Sequence, residues 1–204
     1  MKHLRTILGG LIIAFLITSC SNNETNEPLV KSVESKSIEN LHAPGKGRGN
    51  YTGPFTKFSF SEGKQVTGDN WDIAFRATEI IINGGEKGAL LEDIDRVHSA
   101  ALVLKTGTFT SIKEAPTDSE FKQDKKDALA LLKGSGNGWY TYDSSNHTIS
   151  PAPGKVLVIK THNGHYAKVE ISSYYKDKKP SHTSSQYFTF KYVYNPNKGD
   201  KSFQ

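Results

Sequence analysis

Seven histidines, one cysteine and one methionine are the side chains of this chain best suited to holding a metal ion. Two of the histidines, His162 and His165, flank Asn163-Gly164. A hairpin turning there would face them across the turn, a spacing suited to a small metal ion. A solvated hairpin tip explains the same pair. No Ser-His-Asp arrangement, paired carboxylates or three-ligand metal spacing rises above chance, which points to binding rather than turnover.

The cysteine has a different setting. Ile17-Thr18-Ser19-Cys20 closes a segment that carries Lys2 and Arg5 near its start and an apolar run from Ile7 to Ile17. That run is shorter than the roughly 20 apolar residues of a membrane-spanning helix, so residues 1–19 read as a signal peptide. The motif resembles the bacterial lipoprotein box, in which cleavage before the cysteine leaves its thiol to carry diacylglycerol. An ordinary secretory signal with a chance cysteine is the alternative. A lone cysteine has no partner for an internal disulfide, and lipidation of Cys20 accounts for its presence. Without the signal, 24 basic residues (26 less Lys2 and Arg5) face 21 acidic ones. So small and scattered an excess, in an exported protein, argues against nucleic acid as a partner.

Composition then divides the rest. Residues 20–50 (SNNETNE, KSVESKS, APGKGRGN) are polar and read as a flexible tether, too poor in apolar surface to offset its ordering entropy. Residues 51–204 remain as one domain with a real core. Phe55, Phe58 and Phe60 belong to a strand that closes at Ser61-Glu62-Gly63. In NWDIAFRATEIIINGG, Trp71, Ile73, Phe75 and Ala77 alternate with Asp72, Arg76 and Thr78, as in a half-buried strand. Ile80, Ile81 and Ile82 are apolar on both faces, so the following strand is expected to be covered on both sides, with Asn83-Gly84-Gly85 as its turn. Residues 86–98 form a polar loop, and Ser99 to Leu104 is apolar again. Thr117-Asp118 can cap a helix over 119–133 that stops at Gly134. Lys155 to Thr161 and Tyr166 to Tyr174 are strands joined around Asn163-Gly164, a strong hairpin signal. Ser185 to Tyr194 carries aromatics at alternate positions, and Pro196 follows it. The expected fold class is mainly β and antiparallel, with about one helix.

These pieces, taken in order, resemble the HmuY family of Bacteroidetes lipoproteins. NWDIAFR with its NGG stop follows FSFSEG and precedes APTD (115–118), GNGW (136–139), GHYAKVEISSYY (164–175) and FTFKYVY (188–194). The resemblance implies an all-β fold whose loops at one end form a haem pocket. It also implies a lipid-anchored outer-membrane protein, exposed at the cell surface, that captures haem (haem b) and passes it to a TonB-dependent receptor. A family member that holds another hydrophobic ligand, or acts only through receptor contact, is the alternative.

Haem capture needs axial ligands from His, Met, Tyr or Cys and an apolar slot for the porphyrin. With Cys20 lipidated and Met1 removed with the signal, ligation falls to histidine or tyrosine. The resemblance places one ligand in the loop after the turn tryptophan, here 140–153, which contains His147. It places the other ahead of that turn, where KQDKKDALALLKGSGNG has no histidine, methionine or tyrosine. His98 is the second candidate ligand if the 86–98 loop folds over the pocket; otherwise it only precedes an apolar strand. Trp139, Tyr140 and Tyr142 either line the porphyrin slot or form a core sheet face. Lys125, Lys126 and Lys133 either pair with the propionates or make a charged helix surface. His182, in a polar loop, reads as solvated, and His42 falls in the tether. Neutral imidazole is the ligating form, so binding is expected to weaken as pH falls through histidine's range near ~6.5.

Overall fold

The computed structural model describes residues 30–204, so the signal peptide and Cys20 lie outside the described residues. Eleven strands follow one another along it: β1 (Glu34–His42), β2 (Thr56–Ser59), β3 (Lys64–Val66), β4 (Ile73–Arg76), β5 (Glu79–Ile82), β6 (Ala101–Thr106), β7 (Tyr140–Asp143), β8 (Thr148–Pro151), β9 (Lys155–Lys160), β10 (Tyr166–Tyr175) and β11 (Ser185–Asn195). They form a five-stranded sheet β1-β11-β10-β9-β6, a four-stranded sheet β3-β2-β4-β5 and the separate hairpin β7-β8. Every strand pairing is antiparallel.

The core follows from period-two alternation. Phe58, Ile73, Phe75, Ile80 and Ile82 of the small sheet pack against Leu157, Ile159, Val169, Phe188, Phe190 and Tyr192 of the large one. Phe58 stands edge-on to Phe190 with ring centres 5.4 Å apart, a favourable aromatic arrangement. The opposite face of the small sheet, with Trp71, Ala74 and Ile81, is covered by Leu90, Ile94 and Leu129 from the long loops. The isoleucine run is thus buried on both faces, as expected. Trp71 departs from the expected alternation: it packs with Ala74 and Ile81, away from Ile73 and Phe75. The Asn163-Gly164 hairpin forms between β9 and β10, where Thr161 N–H donates to the His165 carbonyl at 2.8 Å.

Two expectations need correction. The helix over 119–133 does not form; only a single 3-10 turn spans Asp118–Glu120. Beyond it the backbone of Lys122 pairs with Leu102 in both directions (2.8 and 2.9 Å). The buried Asp124 carboxylate then accepts from Ile82 N–H (3.2 Å), Ala130 N–H (2.8 Å) and Arg96 Nε (2.9 Å). These tertiary bonds use backbone groups that a helix would have paired internally, and they override a modest local propensity. The second correction concerns the tether, since residues 34–42 form β1, the edge strand along β11.

Candidate functional site

β10 spans ten residues, roughly 30 Å at ~3.3 Å per residue, and its two ends define two poles of the molecule. At its C-terminal end, Ile149 N–H donates to the Tyr175 hydroxyl at 2.8 Å, which fastens the β7-β8 hairpin to the large sheet. The hairpin turn carries His147, in the left-handed region at φ 57°. Its Nδ1 and the Tyr142 hydroxyl are hydrogen-bonded at 2.7 Å. With the proton on Nδ1, the imidazole donates to the tyrosine oxygen and leaves the Nε2 lone pair bare.

The β10-β11 loop faces this turn across a cleft of about 210 Å³ lined by His147, Tyr175, Pro180 and His182. The rings of His147 and His182 lie 6.1 Å apart, centre to centre. Strand β1 holds that loop in place. It bulges between Ile38 and Leu41, and Asn40 (φ 57°) bonds Asp177 twice: Nδ2 donates to Oδ1 at 2.8 Å, and Asp177 N–H donates to the Asn40 Oδ1 at 2.7 Å. His182, read from sequence as a solvated loop residue, therefore meets His147. His42, set aside with the tether, stacks on Tyr187 at 4.3 Å.

His98 does not join them. It lies at the other pole, beside His162 in the β9-β10 turn, with ring centres 5.1 Å apart. A roughly 30 Å strand separates that turn from His147, so His98 and His147 cannot ligate one iron. Nor do His162 and His165 form a chelate: the Nδ1 of His162 contacts Asp72 at 2.6 Å, and that of His165 contacts Asn163 at 2.8 Å. Among the described residues, no group of three or more His, Cys, Asp or Glu side chains is placed to hold a metal ion.

The aromatic residues divide. Trp139 is a core side chain, 2% exposed, packed against Tyr174 and Phe188, and its indole N–H donates to the Thr78 carbonyl at 3.0 Å. It therefore takes the core role and not that of an open slot wall. Tyr140 is half-buried against that core, and Tyr142 is exposed beside His147. Lys125, Lys126 and Lys133 surround a separate cavity of about 580 Å³, walled by Tyr51, Leu90, Leu129 and Leu132, with no histidine in its lining. Lys133 also bonds the buried Glu79 at 3.1 Å, and Glu79 in turn binds the buried Arg76 at 2.8 Å.

A haem bound in this cleft would be held through its iron by imidazole side chains, and His147 and His182 are the two that meet here. Two imidazoles on opposite sides of one metal ion, with bonds of about 2 Å, have ring centres roughly 6 Å apart. The ring centres of His147 and His182 stand 6.1 Å apart, close to that span, and the Tyr142 hydroxyl engages the Nδ1 of His147.

Fold and site together define an all-antiparallel β protein that presents a pair of imidazoles from loops at one pole. The HmuY protein family matches residues 52–192, and the chain belongs to this family, whose members bind haem. Solved structures with a similar chain include a protein from Bacteroides vulgatus described as HmuY-like and haem-binding, at 18% identity over 81% of this chain and 93% of that one, with a TM-score of 0.48. A Bacteroides fragilis protein described as a lipoprotein matches at 12% identity, 81% and 92% coverage and a TM-score of 0.48. The apo HmuY analogue of Tannerella forsythia matches at 16% identity, 82% and 99% coverage and a TM-score of 0.46. No curated protein matches significantly.

Proposed function

We propose that this protein captures haem b in the cleft between the β7-β8 turn and the β10-β11 loop, with His147 and His182 as the axial ligands. The pairing of these two imidazoles, 6.1 Å apart on separate loops, carries the reading. Tyr142 orients His147, and Tyr175 and Asn40 hold the two loops that face each other. Haem, when bound, would supply an iron centre for these two imidazoles to hold. The protein acts by binding, as a lipoprotein anchored through Cys20 at the outer-membrane surface, and hands its haem to a TonB-dependent receptor.

Haemin titration of the purified protein tests this. One-to-one binding with a low-spin Soret band is expected. His147→Ala and His182→Ala should each convert the spectrum to a five-coordinate or high-spin form. An unchanged spectrum in either variant would show that the ligand was misassigned.

A second reading rests on the lysine-rimmed cavity. Leu91 and Leu132 at its rim are 56% and 57% exposed, unusual for large apolar side chains. An apolar cavity edged by lysines suits an anionic hydrophobic compound, the alternative role for this fold. Binding of such a compound that survives loss of both His147 and His182 would favour this reading.

A further inference from the structure

At the pole opposite the cleft, three side chains make an arrangement that the haem reading does not use. Asp72 is 1% exposed, and each of its oxygens is occupied. Its Oδ2 accepts Phe60 N–H at 2.8 Å, while Oδ1 accepts His162 N–H at 2.9 Å and lies 2.6 Å from the His162 Nδ1. A buried carboxylate at that distance keeps the proton on Nδ1, so the Nε2 of His162 carries the free lone pair. The exposed ring of His98 stands beside it at 5.1 Å, tilted by 51°.

We propose that His98 and His162 form a binding site for one borderline divalent cation, its near-tetrahedral spacing best suited to Zn(II) and open to Cu(II) as a probe, with Asp72 as the outer-shell carboxylate. The spacing agrees with the chemistry. Two imidazoles bound to one ion at about 2.0–2.1 Å and a near-tetrahedral angle have ring centres roughly 5 Å apart. This is a different demand from the ~6 Å of ligands on opposite faces, and the two poles of the molecule meet one demand each. Imidazole nitrogen suits copper, nickel and zinc, and copper heads the affinity order for any such site. Water completes the coordination, because His98 faces solvent. The carboxylate–imidazole pair has a structural use as well, tying the β9-β10 turn to the start of the small sheet. Metal binding is the property that this structural use alone would not confer.

The test is calorimetric titration of the purified protein with Cu(II), read alongside electron paramagnetic resonance for nitrogen ligation. One equivalent should bind with a two-nitrogen signature, and His147→Ala should leave it intact. His98→Ala, at an exposed position that does not endanger the fold, should remove one nitrogen and weaken binding at least ~10-fold. Asp72→Asn, with the fold confirmed by circular dichroism, should keep both nitrogens and weaken binding by roughly 10–100-fold. Absence of saturable one-to-one binding, binding undiminished in His98→Ala, or binding lost in His147→Ala would each overturn the proposal.

Discussion

At the scale of single residues, the hydroxyl of Tyr142 lies 2.7 Å from Nδ1 of His147 and leaves Nε2 as the ring nitrogen outside that hydrogen bond. The sequence singles out His147 as a candidate ligand from its place after the GNGW turn. The meeting of His182 with His147 is not legible there, because DKKPSHTSS has no periodicity and nothing local shows that its loop folds back toward the β7-β8 turn; the β10-β11 pairing and the Asn40–Asp177 bonds bring it there. His165 gives a prediction of a different kind. Burial, with Lys198 adding to it, holds its imidazole below the ordinary range. Protonation therefore favours the unfolded chain, where histidine titrates near ~6.5. Its contribution to stability is intact above that pH and is lost as pH falls through the lowered folded value. Denaturant midpoints at pH 7 and pH 5 should accordingly differ less in His165→Gln than in the wild type; an equal difference would remove His165 as a cause.

At the scale of elements, β1 shows how function can depend on a strand that composition hides. Ser35, Lys36 and Ser37 are exposed, as suits an edge strand, and the polarity of the stretch makes it read as tether. Its bulge nonetheless supplies Asn40, which grips the loop bearing His182. Asn40→Ala should weaken haem binding by roughly 10-fold while leaving the low-spin spectrum of the saturated complex unchanged. Haem affinity equal to the wild type would deny the strand this role. The Asn163-Gly164 hairpin was legible because a two-residue signal suffices for it. The missing helix was not, since Asp124 and Lys122 bond to distant strands. Asn83-Gly84-Gly85 was half-legible as a turn. A Cβ at Gly84 would lie 1.9 Å from the Ala100 carbonyl oxygen, and one at Gly85 2.0 Å from that of Asp124, so these glycines allow three backbones to meet.

At the scale of the whole molecule, the two poles give the fold a direction. Glu34 at the start of β1 pairs with Tyr194, and His42 at its end pairs with Tyr187. Lys31 is bonded to Asn197 through both its N–H (2.8 Å) and its carbonyl (2.7 Å), which keeps the start of the described chain at the His98–His162 pole. With the proposed anchor on Cys20, the chain would enter the domain at the pole opposite the proposed haem cleft, which predicts a cleft turned away from the membrane. In the lipidated protein on vesicles, a fluorophore on Asp200→Cys should transfer energy to a membrane acceptor more strongly than one on Ser145→Cys; equal or reversed transfer would contradict this orientation. The pairing of His147 with His182 is open to test by electron paramagnetic resonance of the ferric haem complex. If the two histidines hold the iron, a low-spin signal of two imidazole ligands is expected, and it is lost when both are replaced by alanine. A high-spin signal in the wild type, or a low-spin signal that persists in the double variant, would contradict it.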